Sequence, residues 1–368
     1  MSPATFWAWV ANQNGAVRCW ISAASLLTLC AFGALLWTQG RGSVAQTALP
    51  LGSESRCAGY SGLPAARDDR SKTGMVHIPA GEFTFGTTLG YPEERPATSA
   101  RRRVAAFWMD QTEVTNAQFA SFVKATRYTT DAERDGGAVV FGVPGDGALA
   151  QRNNAWWRFV QGADWAQPAG PGSAGNTVQA LANEPVTQVT QADALAYARW
   201  LGRDLPTEAE WEYAGKAGRG DADIEKAPRD AAGKPVANFW QGAFPWLNTL
   251  EDGHAGLAPV GCYPANAFGL YDMVGNVWEW TRDAYTDQHQ QPSHANGDTL
   301  AVRVAALTAD SKASATHKPS PPGQPVVIKG GSFLCSPDFC VRYRASAREA
   351  QESNLPTAHI GFRTIIRD

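Results

Sequence analysis

Two cysteines near the C-terminus, Cys335 and Cys340, are spaced so that both thiols can face one ligand. The Pro337-Asp338 step between them favours a tight turn. Paired thiolates suit a soft ion such as Cu(I), and an ion held by only two sulfurs leaves room for a third ligand. Zinc would need two more ligands, and no second cysteine pair or His-x-x-x-His run supplies them. Taken alone, the spacing favours an ordinary disulfide, so a copper-binding pair and a disulfide both stay open.

The other four cysteines differ from this pair in their surroundings. Cys19 and Cys30 lie in an apolar N-terminal run, where they are expected to be inert. Cys57 and Cys262 are isolated in the sequence. An oxidising compartment would permit a bridge between them, but spacing alone does not show whether the two residues meet.

The N-terminus carries a segment of membrane-spanning length. Residues 19–37 are uncharged and mostly apolar, about the length that crosses a bilayer as a helix. Arg18 precedes them, which favours a cytoplasmic position for residues 1–18. We predict a signal anchor at 19–38, a linker at 39–73 and a periplasmic body on the inner membrane. The alternative is a signal peptide cleaved after Ala45, which would release a periplasmic or secreted protein.

Composition narrows the class of the exported body. The formal net charge of −3 argues against sequence-independent nucleic-acid binding, which needs a basic surface. The chain has 36 Gly and 23 Pro, which interrupt regular structure, and 14 Trp, which bury large apolar areas. We therefore expect an irregular, loop-rich fold held together by aromatic packing.

Local patterns predict the elements that must position the cysteines. Residues 75–85 alternate apolar side chains and predict a strand pair around Pro79-Ala80-Gly81. Helices are predicted to start at Thr115, near Thr190 and at Thr207, with Trp211 facing inward.

Five segments, in order, resemble the formylglycine-generating enzyme family, also called sulfatase-modifying factors. They are IPAGEFTFG (78–86), FWMDQTEVTNAQFASFV (107–123), LPTEAEWEYA (205–214), FGLYDMVGNVWEWTRD (268–283) and the region 329–363, which contains KGGSFLC, FCVRYRASAR and HIGFR. The resemblance implies an irregular α+β, C-type-lectin-like domain over residues 74–368.

The resemblance also implies an activity. A copper-dependent oxidase of this family uses dioxygen to convert a cysteine of exported sulfatases, within a Cys-x-Pro-x-Arg segment, to Cα-formylglycine. Cys335 and Cys340 would bind Cu(I), Ser332 would act beside them, and the protein would be a monomer. Because the residues around the two cysteines match the family at the same spacing, the resemblance favours an active cysteine pair over a disulfide. Two alternatives remain: an accessory paralogue, such as those associated with copper nitrite reductases, and a non-enzymatic binding module.

Two structural calcium sites are implied in the same way. One would use side chains or carbonyls of Asn238, Phe239, Asp252 and His254. The other would use Asp272, Gly275, Val277 and Glu279; the less favoured alternative is that Gly275-Asn276 forms a plain turn.

The chain departs from the animal members of the family at several positions, which puts substrate recognition in question more than metal binding. Substitutions near the expected cleft are Gln167, Gln188, Gln191, Asp204, Ser336 and His359, and the animal structural disulfides are replaced by Ala198, Gly215 and Ala345.

Overall fold

Short elements joined by long turns make up the protein. The computed structural model describes residues 51–62, 72–95, 101–142, 156–173, 181–219, 228–287 and 320–368. The helices are α1 (Glu54–Cys57), α2 (Asn116–Thr126), α3 (Asp131–Asp135), α4 (Gln191–Trp200) and α5 (Glu208–Lys216), with a 3-10 turn at Pro92–Glu94. The strands are β1 (Met75–Ile78), β2 (Gly81–Thr84), β3 (Arg101–Val104), β4 (Phe107–Asp110), β5 (Gly137–Phe141), β6 (Trp157–Gln161), β7 (Trp278–Ala284), β8 (Pro325–Lys329), β9 (Arg348–Glu352), β10 (Ile360–Gly361) and β11 (Ile365–Arg367). These mixed, short elements confirm the irregular α+β class.

The strands form four small sheets. A four-stranded sheet has the order β10-β7-β8-β9, and a three-stranded sheet has the order β1-β4-β11. The remaining sheets are the pairs β2-β3 and β5-β6. The predicted strand pair at 75–85 is therefore wrong in its partners, since β1 pairs with β4 and β2 with β3. Pro79-Ala80 joins two sheets instead of turning one hairpin.

The three predicted helices are confirmed, and each begins with a capping box. In α2, Thr115 Oγ1 accepts the Gln118 N–H at 3.2 Å, and Gln118 Oε1 accepts the Thr115 N–H at 2.9 Å. Thr190 with Asp193 and Thr207 with Glu210 repeat the arrangement in α4 and α5. These reciprocal bonds satisfy backbone donors that a helix start otherwise leaves open.

Aromatic side chains fill the core, as the composition predicts. The largest fully buried side chains include Trp211 and Trp280. Phe119 contacts Trp165, Tyr197 and other rings at centroid distances of 5.3 Å and 5.9 Å for those two. This packing replaces long regular elements as the source of buried apolar area.

A disulfide joins the N-terminal side of the described chain to the body. Cys57 in α1 is bonded to Cys262, 205 residues away. We call residues 51–62 the strap. Its Gly52 N–H donates to the Gly261 carbonyl at 2.8 Å, and its Ser61 carbonyl accepts the Thr115 hydroxyl at 2.6 Å. Part of the segment predicted as a linker therefore packs on the domain.

Within the described ranges, no helix has both the length and the apolar character needed to cross a membrane. The predicted anchor at 19–38 and the predicted cytoplasmic segment 1–18 lie outside the described residues.

Candidate active site

A glycine pair leads from β8 into the cysteine region. Gly330 and Gly331 have φ angles of 96° and 77°, a left-handed conformation that L side chains rarely adopt. A Cβ on Gly331 would lie 2.6 Å from the Arg342 carbonyl oxygen, and one on Gly330 would lie 3.0 Å from the Trp211 ring. Both positions therefore require glycine, because the backbone lies close to Arg342 and Trp211 there. The chain then enters the core at the buried Ser332.

Cys335 is held rigidly by the backbone around it. Its N–H donates to the Ser332 carbonyl at 3.0 Å, and its own carbonyl accepts the Trp240 N–H at 2.9 Å. The Ser332 hydroxyl oxygen accepts the Leu334 N–H at 3.3 Å. Ser332 and Cys335 are both buried, so this side of the site is part of the main core.

Cys340 approaches from a more exposed loop. Its Sγ lies 3.1 Å from that of Cys335, and both residues are free cysteines. A disulfide would place the sulfurs about 2.05 Å apart. The hydrogen bond to Cys335, followed by burial, raises the pKa of the Cys340 thiol. The Cys340 thiol is thus protonated, and binding of a metal there would have to displace its proton.

The donor set suits a soft ion of low coordination number. Two sulfurs of Cys335 and Cys340 converge, whereas no group of three or more His, Cys, Asp or Glu side chains suited to a metal occurs within the described ranges. A structural zinc site needs four such ligands. Thiol donors in this number fit Cu(I) better.

An apolar wall stands beside the cysteine loop. Phe339 is 51% exposed and stacks on Phe244 with centroids 4.3 Å apart. Trp156 packs edge-on against both rings, each at 5.5 Å. The Asp338 carboxylate accepts the Phe244 N–H at 3.2 Å and ties the two loops together. Sequence reasoning missed Trp156 and Phe244 because only tertiary folding brings them to the cysteines.

Three of the substituted cleft positions have defined environments. Ser336 is buried, and its hydroxyl donates to the Asp338 carboxylate. His359 packs on Trp157 at 4.6 Å, and burial lowers its pKa to about 3, so the ring is neutral. Gln188 has a φ of 58°, and its amide donates to the Val139 and Pro168 carbonyls.

Three residues of the first predicted calcium cluster, Phe239, Asp252 and His254, are joined by hydrogen bonds. Asp252 accepts the Phe239 N–H at 3.2 Å and the His254 N–H at 3.0 Å. The Gln241 amide nitrogen donates both to the Phe239 carbonyl and, at 2.7 Å, to Asp252. Asn238 donates to the Gly256 carbonyl at 2.9 Å. The Phe239 carbonyl and the Asp252 carboxylate therefore accept hydrogen bonds from the same amide nitrogen.

The second predicted cluster holds buried carboxylates. Glu279 pairs with Arg363 through both oxygens and accepts the Trp211 indole N–H at 2.7 Å. Asp272 accepts the Gly261 N–H, and burial raises its pKa to about 6. Gly275 donates its N–H to the Gly330 carbonyl at 3.0 Å, and Val277 is buried beside it, so this loop also abuts the glycine pair of the active site.

A further buried carboxyl, Glu113, completes this cluster. Burial and the nearby Asp272 carboxylate raise the pKa of Glu113. Its Oε1 accepts the Asn276 amide at 3.1 Å, and its side chain forms a hydrogen bond with the Asp272 carboxyl. The Asp272 and Glu113 oxygens are of the type that calcium prefers, whereas both Glu279 oxygens already pair with Arg363. Glu113 lies two residues before the N-cap Thr115. The sequence carries no signal for its place in the cluster beyond an acidic residue ahead of a helix.

Fold and site together define a loop-rich α+β protein with a two-thiol centre beside an aromatic wall. A family model described as "Sulfatase-modifying factor enzyme 1-like domain" matches residues 60–368. The formylglycine-generating enzyme of Mycobacterium tuberculosis is 41% identical over 309 residues, covering 80% of this chain and 97% of that protein. The enzyme of Bos taurus is 39% identical over 303 residues, covering 79% and 74%. The chain belongs to the sulfatase-modifying factor, or formylglycine-generating enzyme, family.

Two other similarities set limits on this result. "Inactive C-alpha-formylglycine-generating enzyme 2" of Mus musculus is 38% identical over 252 residues, covering 66% of this chain and 77% of that protein. The structure of PvdO from Pseudomonas aeruginosa superposes with a TM-score of 0.50 at 23% identity, covering 83% and 100%. The latter supports the fold alone, and the former shows that membership in the family does not by itself establish activity.

Proposed function

We propose that this protein is a copper-dependent oxidase that converts a cysteine of exported sulfatases to Cα-formylglycine with dioxygen. The observation that carries the proposal is the free pair of Cys335 and Cys340 thiols at 3.1 Å. Relatives named formylglycine-generating enzyme, about two-fifths identical over most of the chain, support the same reaction.

The two cysteines have different parts in this proposal. Cys335 is a buried, immobile ligand, while Cys340 is partly exposed and borders the aromatic wall, where a substrate cysteine can approach. Both thiols would hold Cu(I), which supplies the site of dioxygen reduction when bound. Ser332, whose oxygen already accepts the Leu334 N–H, would donate its hydroxyl proton to a water or an oxygen of the reacting groups.

If one dioxygen is fully reduced for each aldehyde formed, the overall change needs two electrons beyond those from the substrate cysteine. The substrate cysteine, one dioxygen and two reducing thiols are consumed. The products are the aldehyde, hydrogen sulfide, water and one disulfide. Assays therefore need a reducing thiol such as dithiothreitol in addition to dioxygen.

The aromatic wall would receive the apolar part of the substrate. Phe339 and Phe244 present a stacked face next to Cys340, which suits the proline of a Cys-x-Pro-x-Arg segment. An extended peptide crossing this face would bring its cysteine to the thiol pair.

Calcium would have a structural role at both loop clusters. In the second cluster, Asp272 and Glu279 would be joined by Glu113, whose side chain already forms a hydrogen bond with Asp272. Such an ion would neutralise buried carboxylates and fix the loop next to Gly330.

We further propose an inner-membrane protein with a periplasmic catalytic domain, anchored through residues 19–38. The Cys57–Cys262 disulfide supports export, since such bonds persist in oxidising compartments. Cell fractionation tests the topology: a soluble periplasmic form that begins near Gln46 would favour the cleaved signal peptide.

The reaction is tested with the full chain, Cu(I), air and dithiothreitol on a Cys-x-Pro-x-Arg peptide. The peptide should lose its thiol and gain an aldehyde that hydrazine reagents trap. A peptide with serine in place of cysteine is the matched control. Absence of aldehyde from copper-loaded protein on several such peptides would contradict the proposal.

An accessory paralogue is the second candidate, favoured by the substitutions at Gln188, Ser336 and His359 and by the similarity to an inactive relative. Copper-loaded protein that binds the peptides without converting them would support it. Protein that binds neither copper nor peptide would indicate a binding module.

A further inference from the structure

The two thiols of the active site are supported unequally. Cys335 is held on both sides by buried backbone hydrogen bonds. Cys340 follows an exposed loop, and its N–H donates only to the Ser336 carbonyl at 3.1 Å within that same loop. Before Cys340 the loop is tied to the fold at Asp338 and Phe339, and after Cys340 a second set of contacts begins at Val341.

That segment is held by a loop more than 240 residues away. The Tyr91 hydroxyl oxygen accepts the N–H of Val341, the residue after Cys340, at 3.4 Å. The guanidinium groups of Arg342 and Arg344 lie over the Tyr91 ring, at 4.3 Å and 5.4 Å from its centroid. Cation–π contacts of this kind favour one placement of the ring relative to both arginines.

Ion pairs strengthen the same junction. Glu93 binds Arg342 at 2.7 Å, and the buried Glu94 pairs with Arg344. Glu94 also accepts the Tyr91 N–H at 3.3 Å, so the carboxylate connects the aromatic ring to the arginine. We call Tyr91, Glu93 and Glu94 the clamp.

A glycine shows how closely the clamp fits. A Cβ on Gly90 would collide with the Glu94 carboxylate and lie 3.0 Å from Arg344 Nη2. Its φ is not in the left-handed region, so the absence of a side chain is required by this approach and not by the backbone conformation.

We propose that the clamp, through Tyr91, positions Cys340 and sets the distance of its thiol from that of Cys335. Tyr91 touches neither thiol and is therefore a positioning residue. The inference rests on the proposed function only in that the spacing of the thiols matters for holding Cu(I). The spacing itself can be measured without copper or substrate.

The test is the thiol–disulfide equilibrium of the Cys335–Cys340 pair in the full chain under argon with glutathione. Closing the pair forms one S–S bond and reduces one glutathione disulfide to two thiols. Alkylation and mass spectrometry of the peptide containing both cysteines give the oxidised fraction. Tyr91→Ala should lower the equilibrium constant for closure about tenfold, or about 30 mV, because Cys340 is less often near Cys335.

Two further variants separate the contribution of the Tyr91 ring from that of its hydroxyl and of Glu94. Tyr91→Phe keeps the ring over the arginines and removes only the acceptor of the Val341 N–H, so it should retain most of the parental equilibrium. Gly90→Ala should act like Tyr91→Ala by displacing Glu94. The control is Trp108→Ala, which removes another ring covered by a cation, Lys72 at 4.3 Å, on the β1-β4-β11 sheet.

An equilibrium within twofold of the parent in Tyr91→Ala and Gly90→Ala, with the variants folded, would overturn the proposal, as would an equal shift in Trp108→Ala. Cu(I) titration by competition with a chromophoric chelator is a separate readout. A parent that binds no Cu(I) would contradict the proposed function and leave the redox test of the clamp intact.

Discussion

The two cysteine pairs of the described chain are both close in space, yet only one is bonded. Cys57 and Cys262 are 205 residues apart, with Cα atoms 4.9 Å apart, and form a disulfide. Cys335 and Cys340 are five residues apart, with sulfurs at 3.1 Å, and remain thiols. Proximity therefore does not by itself decide whether two cysteines are bonded.

Their surroundings account for the difference. The bonded pair lies in a small buried cluster with Ala258 and Tyr263 and joins the strap to a loop of the body. The free pair lies between the rigid main core and a loop with exposed Pro337 and Asp338. One pair can add stability because it closes a long loop, whereas the other is accessible on one side and suited to chemistry.

The largest effect is expected at the free pair. Cys340→Ser should lower aldehyde formation by more than about a thousandfold, because one thiolate cannot hold Cu(I) in the required geometry. The melting temperature should change little, since Cys340 is partly exposed and unbonded. Calorimetry alongside the peptide assay would show both. Equal Cu(I) binding by a Cys335→Ser/Cys340→Ser double variant would contradict the role of the pair.

The bonded pair should show the reverse behaviour. Cys57→Ser removes the closure of a long loop and should lower the free energy of unfolding by about 2–5 kcal/mol. Chemistry in the folded variant should persist, because the disulfide contacts neither active-site thiol. Urea unfolding and the peptide assay below the transition would measure the two properties. Loss of activity in a fully folded variant would argue for coupling between the pairs.

Calcium removal should affect the side of the protein that holds the disulfide more than the free thiol pair. The N–H of Gly261, the residue before Cys262, donates to Asp272 of the second calcium cluster. If the free calcium concentration is about a hundred times the dissociation constant, chelation should lower the free energy of unfolding by about 3 kcal/mol. The melting temperature should then fall by several degrees. Glu113→Gln should reduce this calcium-dependent shift. A shift unaltered in Glu113→Gln would remove Glu113 from the site.

The smallest effect is expected where the strap meets the body. The Asn183 amide donates to the Cys57 and Ala58 carbonyls at 3.3 Å and 3.0 Å. Asn183→Ala should cost about 1 kcal/mol and leave the disulfide formed. Asn354→Ala, which removes an exposed bond to the Gly323 N–H, is the control and should cost less. Chemical denaturation resolves differences of this size.

Local patterns in the sequence determined the helices, and the family resemblance singled out the cysteine pair. Capping boxes at Thr115 and Thr207 involve residues three positions apart, so their geometry follows from the chain itself. The Cys335–Cys340 spacing, within its frame of glycines and arginines, likewise identified the site that the structure brings together.

Contacts between distant segments were decided only by the tertiary structure. The partners of β1 and β2, the Cys57–Cys262 bond and the clamp of Tyr91 on Val341 each join residues that no local pattern connects. Strand partners and long-range side-chain contacts depend on which surfaces pack together, and closing the intervening loops costs similar entropy for many alternatives. The sequence could therefore single out Cys335 and Cys340 as the candidate pair, but only the tertiary structure shows which distant residues contact the segment after Cys340.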